Sequence, residues 1–271
     1  MMQKLLNNPK QTEKRPEKGV FPMRIIVIAV FLLVITAAMI LFCIHYNGKR
    51  TYRYTPDTKI ILYHLINDEV YGPNDYLFVK EADFEEQLKI LQEEGYRSFF
   101  ADELYQIKNG EKAVVITFDD GYEDNYSIAF PLLQKYGMKA TIFLPSSMIG
   151  TEGHLSEIQI KEMQESGLVH FGSHTVTHLK LDTALADEIE KELAESRLAI
   201  EAITGAPVTA LAYPNGAYND MVELFAEKHG YHYCFTTNPP HEPYYENTAL
   251  PRSYVIRDMP IEEFRALLVT E

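Results

Sequence analysis

The sequence predicts an α/β fold: an irregular (β/α) barrel of seven or eight parallel strands, preceded by one transmembrane helix. Three observations carry this. Short apolar runs alternate with longer amphipathic stretches along nearly all of the chain after residue 57, the pattern of parallel strands covered by helices. Several of those runs end directly in a polar residue, as strands do at the functional rim of such a barrel. Finally, Ile25 to Ile44 is apolar apart from Thr36, which matches the ~20 residues needed to cross a bilayer. The boundaries that follow are a basic tail at 1–24, a signal-anchor helix at 25–46, a tether at 47–57 and one globular domain at 58–271.

The tail carries Lys4, Lys10, Lys14, Arg15, Lys18 and Arg24, against Lys49, Arg50 and Arg53 beyond the apolar run. The positive-inside tendency puts the N-terminus in the cytoplasm and the large domain outside the cell. A cleaved signal peptide and a buried core helix are the competing readings. No small-x-small site follows the run, and polar residues are nearly absent from it. The chain has 271 residues, 46% of them hydrophobic, enough for a sizeable core. Its net charge of −14 argues against a nucleic-acid partner. Residues 1–47 hold six of the 25 Lys/Arg and two of the 39 Asp/Glu, so the acidic bias is steeper beyond them. The two cysteines, Cys43 and Cys234, sit in an apolar run and a predicted strand, which gives no disulfide framework.

The elements follow in order. Lys59–Tyr63 is a short strand with His64 directly after it. Asp83 with Glu86 forms a capping pattern before a helix with Phe84, Leu88 and Leu91 on one face, stopped by Gly95. Arg97–Phe100 and Ala113–Phe118 are strands, and a helix over Asn125–Tyr136 ends at Gly137. The strand Ala140–Leu144 is stopped by Pro145. Ser156 and Gln159 cap a helix that ends at Gly167, and the strand Leu168–Phe171 leads into Gly172-Ser173-His174. A long helix spans Ala184 to Ile203, and Val208–Ala212 is a strand running into Tyr213-Pro214-Asn215-Gly216. Asn219 caps a further helix ending at Gly230. Tyr231–Thr236 and Tyr254–Ile256 are late strands, and Pro260 opens the last helix.

His64, Asp119, Asp120, His174 and Tyr213 each fall just after a predicted strand, so a parallel barrel gathers them on one rim. Asp119 and Asp120 are adjacent carboxylates at a strand end, with Gly121 to turn the chain. Their neighbouring side chains point to opposite faces. They form either a solvated acidic turn or a pair in which one acid meets a cation and the other serves as a base. His174 and His178, four residues apart, are either a surface coincidence or two imidazoles aimed at one ion. Together with Asp120 they make an Asp-His-His set of the catalytic zinc type, which leaves Asp119 to accept a proton. Co2+, Ni2+, Mn2+ and Fe2+ also suit such a set. His154, His170, His229, His232 and His241 read as surface or loop residues.

Thr117-Phe118-Asp119-Asp120-Gly121 with Ser173-His174-x-x-x-His178 resembles the NodB-like polysaccharide deacetylases, carbohydrate esterase family four, over roughly residues 58–260. The resemblance implies hydrolysis of N-acetyl groups on sugars. It makes Asp119 the base and Asp120, His174 and His178 the metal ligands. Ala212-Tyr213-Pro214-Asn215-Gly216 matches the family's third motif, which implies that the backbone N–H of Tyr213 helps bind the oxyanion and that Pro214 lies at the substrate.

Two departures narrow the resemblance. Ala212 stands where the third motif usually has an Arg, and the late Leu-x-His is missing. The chain instead has Leu62-Tyr63-His64 early and Leu250-Pro251-Arg252 late, similar to the biofilm poly-N-acetylglucosamine deacetylases. That subgroup implies His64 as the general acid, with a packed loop histidine as the plain reading. It implies Arg252 at the substrate end of the site, replacing the missing Arg, with a structural ion pair as the plain reading. The expected function is a zinc-type N-deacetylase acting on extracellular poly-β-1,6-N-acetylglucosamine, anchored in the cell membrane. A peptidoglycan deacetylase and a non-catalytic surface polysaccharide-binding protein are the alternatives.

Overall fold

The computed structural model describes residues 58–239 and 246–269 and, before them, positions 27–28, 30–33 and 36. The chain divides into two units, Met1–Lys49 and Arg50–Glu271. In the first, the described positions are helical, and Thr36 Oγ1 donates to the Leu32 carbonyl. The expected tail, tether and most of the expected span lie outside the described residues. No helix among the described residues is long and apolar enough to cross a membrane.

The second unit is built on one eight-stranded sheet. Its strands are β1 (Thr58–Tyr63), β4 (Arg97–Ser98), β5 (Ala113–Phe118), β6 (Ala140–Leu144), β7 (Val169–Ser173), β8 (Ala210–Ala212), β9 (Tyr233–Phe235) and β10 (Ser253–Tyr254). The order is β10-β1-β5-β6-β7-β8-β9, and every pairing is parallel. β5 pairs with β1 along its full length; on its other side β4 takes the first two residues and β6 the last three. The two margins of this half-barrel approach each other through Leu250, which bridges Phe235 in parallel just before β10 begins. A second small sheet, absent from the sequence reading, joins β2 (Leu65–Ile66) to β3 (Phe78–Val79).

Every residue of β5 is buried, as a strand covered on both faces must be. Its side chains divide by parity. Val114, Ile116 and Phe118 join the larger core between sheet and helices, with Ile61, Ile142, Val169 and Leu211. Ala113 and Val115 join the smaller core inside the sheet's curve, with Ile60, Phe143, Ala210, Ala212, Phe235 and Leu250. This period of two faces one residue set inward and the next outward.

The helices are α1 (Glu81–Glu93), α2 (Phe130–Tyr136), α3 (Glu157–Glu165), α4 (Ala186–Thr204), α5 (Asp220–Lys228) and α6 (Ile261–Leu268). The Ser156–Gln159 capping box and the Asn219 cap form as their residue types dictate. The expected Asp83 cap does not form. α1 starts two residues earlier, at Glu81, and Asp83 lies inside its first turn, where its charge still favours the helix N-terminus. A π-helical turn, Asn125–Ala129, precedes α2 in place of a uniform helix.

Candidate active site

The dyad forms because the β1–β5 ladder runs one step past the strand. The Asp119 N–H donates to the Tyr63 carbonyl at 3.0 Å, which fixes Asp119 beside the end of β1. The chain then turns through two left-handed residues, Asp120 (φ 70°) and Gly121 (φ 64°). A Cβ at position 121 would run into Leu144, so glycine is needed for space as well as for backbone angle. The turn sends the two carboxylates in different directions, Asp119 inward and Asp120 toward the imidazoles.

His174 follows β7, and its N–H donates to Leu144 O at 2.9 Å. Thr175 and His178 both adopt left-handed backbone (φ 66° and 60°), so the loop between the histidines is tightly coiled. One Oδ of Asp120 lies 3.5 Å from His174 Nε2 and 3.5 Å from His178 Nε2. The three ligand atoms all lie within 4.8 Å of one another. A tetrahedral ion with ligands at about 2.0–2.2 Å needs donor atoms about 3.3–3.6 Å apart, which both Asp120–imidazole distances meet. The chemistry agrees: His174 Nδ1 lies 2.7 Å from the Ala212 carbonyl, which can only accept. Nδ1 therefore carries the proton, and Nε2 presents its lone pair to the Asp120 side.

Asp119 Oδ2 lies 3.9 Å from His174 Nε2, but both of its oxygens are engaged by Arg252. The guanidinium donates to both carboxylate oxygens at 2.7 Å, to Thr236 O at 3.0 Å and to Thr117 Oγ1 at 3.2 Å. Arg252 is fully buried. Burial alone would push the Asp119 carboxyl up, but Arg252, helped by His174, holds it down at about 2. Arg252 thus orients the Asp119 carboxylate. It does not reach the substrate groove, which corrects its expected placement as a substrate-binding residue.

Two other expectations are also corrected. The Tyr213 N–H donates to Phe235 O at 2.9 Å, because the β8–β9 ladder continues one residue past β8. The Tyr213 ring is buried, with its hydroxyl on Thr248 O. Neither group is presented to an oxyanion. Pro214 is buried as well, and its exposed neighbour Asn215 (φ 56°) lines the groove instead.

The groove is a cavity of about 700 Å³ over the dyad, lined by His64, His174, His178 and Tyr254 among others. His64 is 9% exposed, and Asn125 Nδ2 donates to its carbonyl at 2.9 Å. Burial lowers its pKa, opposed by Asp119 and Asp120. Its Nε2 lies 3.5 Å from the Tyr254 hydroxyl. Tyr254, Tyr76, Tyr122 and His154 line the same groove and were not foreseen as site residues. Tyr254 carried a readable signal: it stands two residues after Arg252, already singled out in the sequence. His154 did not, because it arrives through a bridge to Tyr122 across a loop. The other histidines set aside as surface or loop residues, so far as they are described, do not line this cavity.

The polysaccharide deacetylase family model matches residues 106–234. YxkH of Bacillus subtilis (strain 168) is 39% identical over 185 residues, 66% of this chain and 64% of its own. The poly-β-1,6-N-acetyl-D-glucosamine N-deacetylase of Staphylococcus aureus (strain N315) is 31% identical over 175 residues, 58% of this chain and 60% of its own. The chain thus spans less than two thirds of either curated relative. The crystal structure of a polysaccharide deacetylase from Bacillus cereus superposes with a TM-score of 0.73 at 31% identity, over 81% of this chain and 70% of that one. The chain belongs to the polysaccharide deacetylase family.

Proposed function

We propose that this chain removes N-acetyl groups from an extracellular N-acetylglucosamine polymer, with poly-β-1,6-N-acetylglucosamine as the substrate. The carrying observation is that Asp119, held by the bidentate Arg252, lines the same groove as His64 from the start of the domain. It supports an acid and a base drawn from opposite ends of the sequence. The named activity of the Staphylococcus aureus relative supports the choice of polymer. The apolar sequence at 25–44, between basic flanks, supports a membrane-anchored domain outside the cell.

A divalent cation held by Asp120, His174 and His178, zinc foremost, would supply Lewis acidity, making water acidic and polarising the acetyl oxygen. Asp119, ionised and aimed by Arg252, takes the proton of the attacking water. As the acetyl C–N bond breaks, the nitrogen needs a proton. Burial lowers the His64 pKa while Asp119 and Asp120 favour its charged form, so His64 takes up the proton that Asp119 removed from the water and Asp119 is again ionised. It relays a proton to the departing amine beside Tyr254. Acetate and a free amine result.

The test is acetate release from defined β-1,6- and β-1,4-linked N-acetylglucosamine oligomers, after chelation and after metal add-back. Asp119→Asn should abolish release from the β-1,6 series. Full activity of that variant would overturn the base assignment. Release from β-1,4 peptidoglycan fragments alone would replace the polymer. Metal binding with no release from any acetylated sugar would leave a non-catalytic polysaccharide-binding role.

A further inference from the structure

The inward face of α4 carries Ile189, Leu193 and Ile200 into the core, as its spacing requires. Glu192 and Ser196 sit on that same buried face. A carboxylate 8% exposed on an apolar stripe needs partners, or its burial costs stability. Glu192 has three. One oxygen accepts from the Val176 N–H at 2.7 Å and the Thr177 N–H at 2.8 Å; the other accepts from Thr177 Oγ1 at 2.7 Å. One turn on, Ser196 Oγ lies 2.8 Å from Ser173 Oγ, which in turn accepts from the Thr175 N–H at 3.1 Å.

The three Glu192 contacts fall on the five-residue arc that starts and ends with the two imidazoles, and Ser173, just before the arc, holds its Thr175 N–H. The arc contains two left-handed non-glycine residues, Thr175 and His178. Such backbone persists only where its surroundings hold it. Nothing in Ser173–His178 itself supplies acceptors for the N–H groups of 176 and 177.

We propose that Glu192 is the positioning residue of the metal site: its carboxylate fixes the arc so that His174 and His178 converge on one cation. This rests on the reading of Asp120, His174 and His178 as ligands and extends it to a residue that touches neither ion nor substrate. Without the carboxylate, two backbone N–H groups lose their acceptor, the arc opens and His178 swings from its partner. A glutamine can keep the contacts, with its oxygen on the two N–H groups and its amide on the Thr177 hydroxyl.

The experiment measures the affinity of the full chain for Zn2+ by competition with a chromophoric chelator, and the visible spectrum of the Co2+ form. Glu192→Ala should bind about 10–100-fold more weakly than wild type and give an altered Co2+ band. Glu192→Gln should stay within a few fold of wild type. Leu193→Ala, one residue on and purely apolar, should lower the melting temperature yet bind Zn2+ as wild type does. Wild-type affinity and spectrum in Glu192→Ala would overturn the proposal. If Glu192→Ala does not fold, Thr177→Val decides: weaker binding supports the positioning role, and unchanged binding overturns it. Failure of the wild type itself to bind Zn2+ or Co2+ would sink the ligand assignment, and the positioning role with it.

Discussion

The Asp119 carboxylate and the Arg252 guanidinium meet through two parallel hydrogen bonds of 2.7 Å, although 133 residues separate them. Both groups are buried, so neither has water as an alternative partner.

Arg252→Ala leaves a buried carboxylate without its cation and should cost about 3–5 kcal/mol of stability in denaturant melts. With Arg252 gone, burial dominates and the Asp119 pKa rises from about 2. The acid limb of the kcat/KM profile should therefore move to higher pH. Arg252→Lys keeps the charge but not the fork and should fall between the two.

His64→Ala should lower kcat by about 10²–10⁴-fold, the usual range for a lost acid–base group. Zn2+ affinity should not change, because His64 is not among the residues that converge on the cation. Tyr254→Phe, which removes the hydroxyl 3.5 Å from His64, should have a smaller effect in the same direction. An unchanged kcat in His64→Ala would remove it from the mechanism.

Chelation should abolish acetate release, and Zn2+ should restore it. His178→Ala should bind Zn2+ far more weakly than wild type and gain little from added metal, since one of three ligands is gone. Equal restoration of variant and wild type would place the cation elsewhere.

Asp124 is 4% exposed, and burial pushes its carboxyl up to about 7. The folded pKa lies above the usual 3.8, so the fold favours the protonated form. Its contribution to stability is complete below about pH 4 and disappears as pH rises through 7. The wild-type melting temperature should fall from pH 5 to pH 8 more steeply than that of Asp124→Asn.

The parts of this site that the sequence revealed are those carried by local spacing. Asp119-Asp120-Gly121 and His174-x-x-x-His178 each sit at the end of an apolar run, and a parallel sheet puts such ends together. Tyr213 was misread because one extra rung of the β8–β9 ladder engages its N–H, and ladder length is decided by the partner strand. The Asp83 cap failed because Glu81 and Ala82, ahead of it, already start the helix. Tyr122, His154 and Glu192 act through loop contacts or helix-face contacts that span many residues. Periodicity carries no such information, although a glutamate on the apolar stripe of α4 was a visible anomaly.

β10 pairs with β1, Ile61 opposite Ser253, and it directly follows Arg252 in the chain. The first strand of the domain therefore waits, on one side, for the last strand of the sheet. A nascent chain paused on the ribosome before Arg252 has its dyad and both imidazoles already made, yet no anchor for the proton acceptor. A product truncated before Arg252 should therefore release no acetate, although its metal ligands are all present.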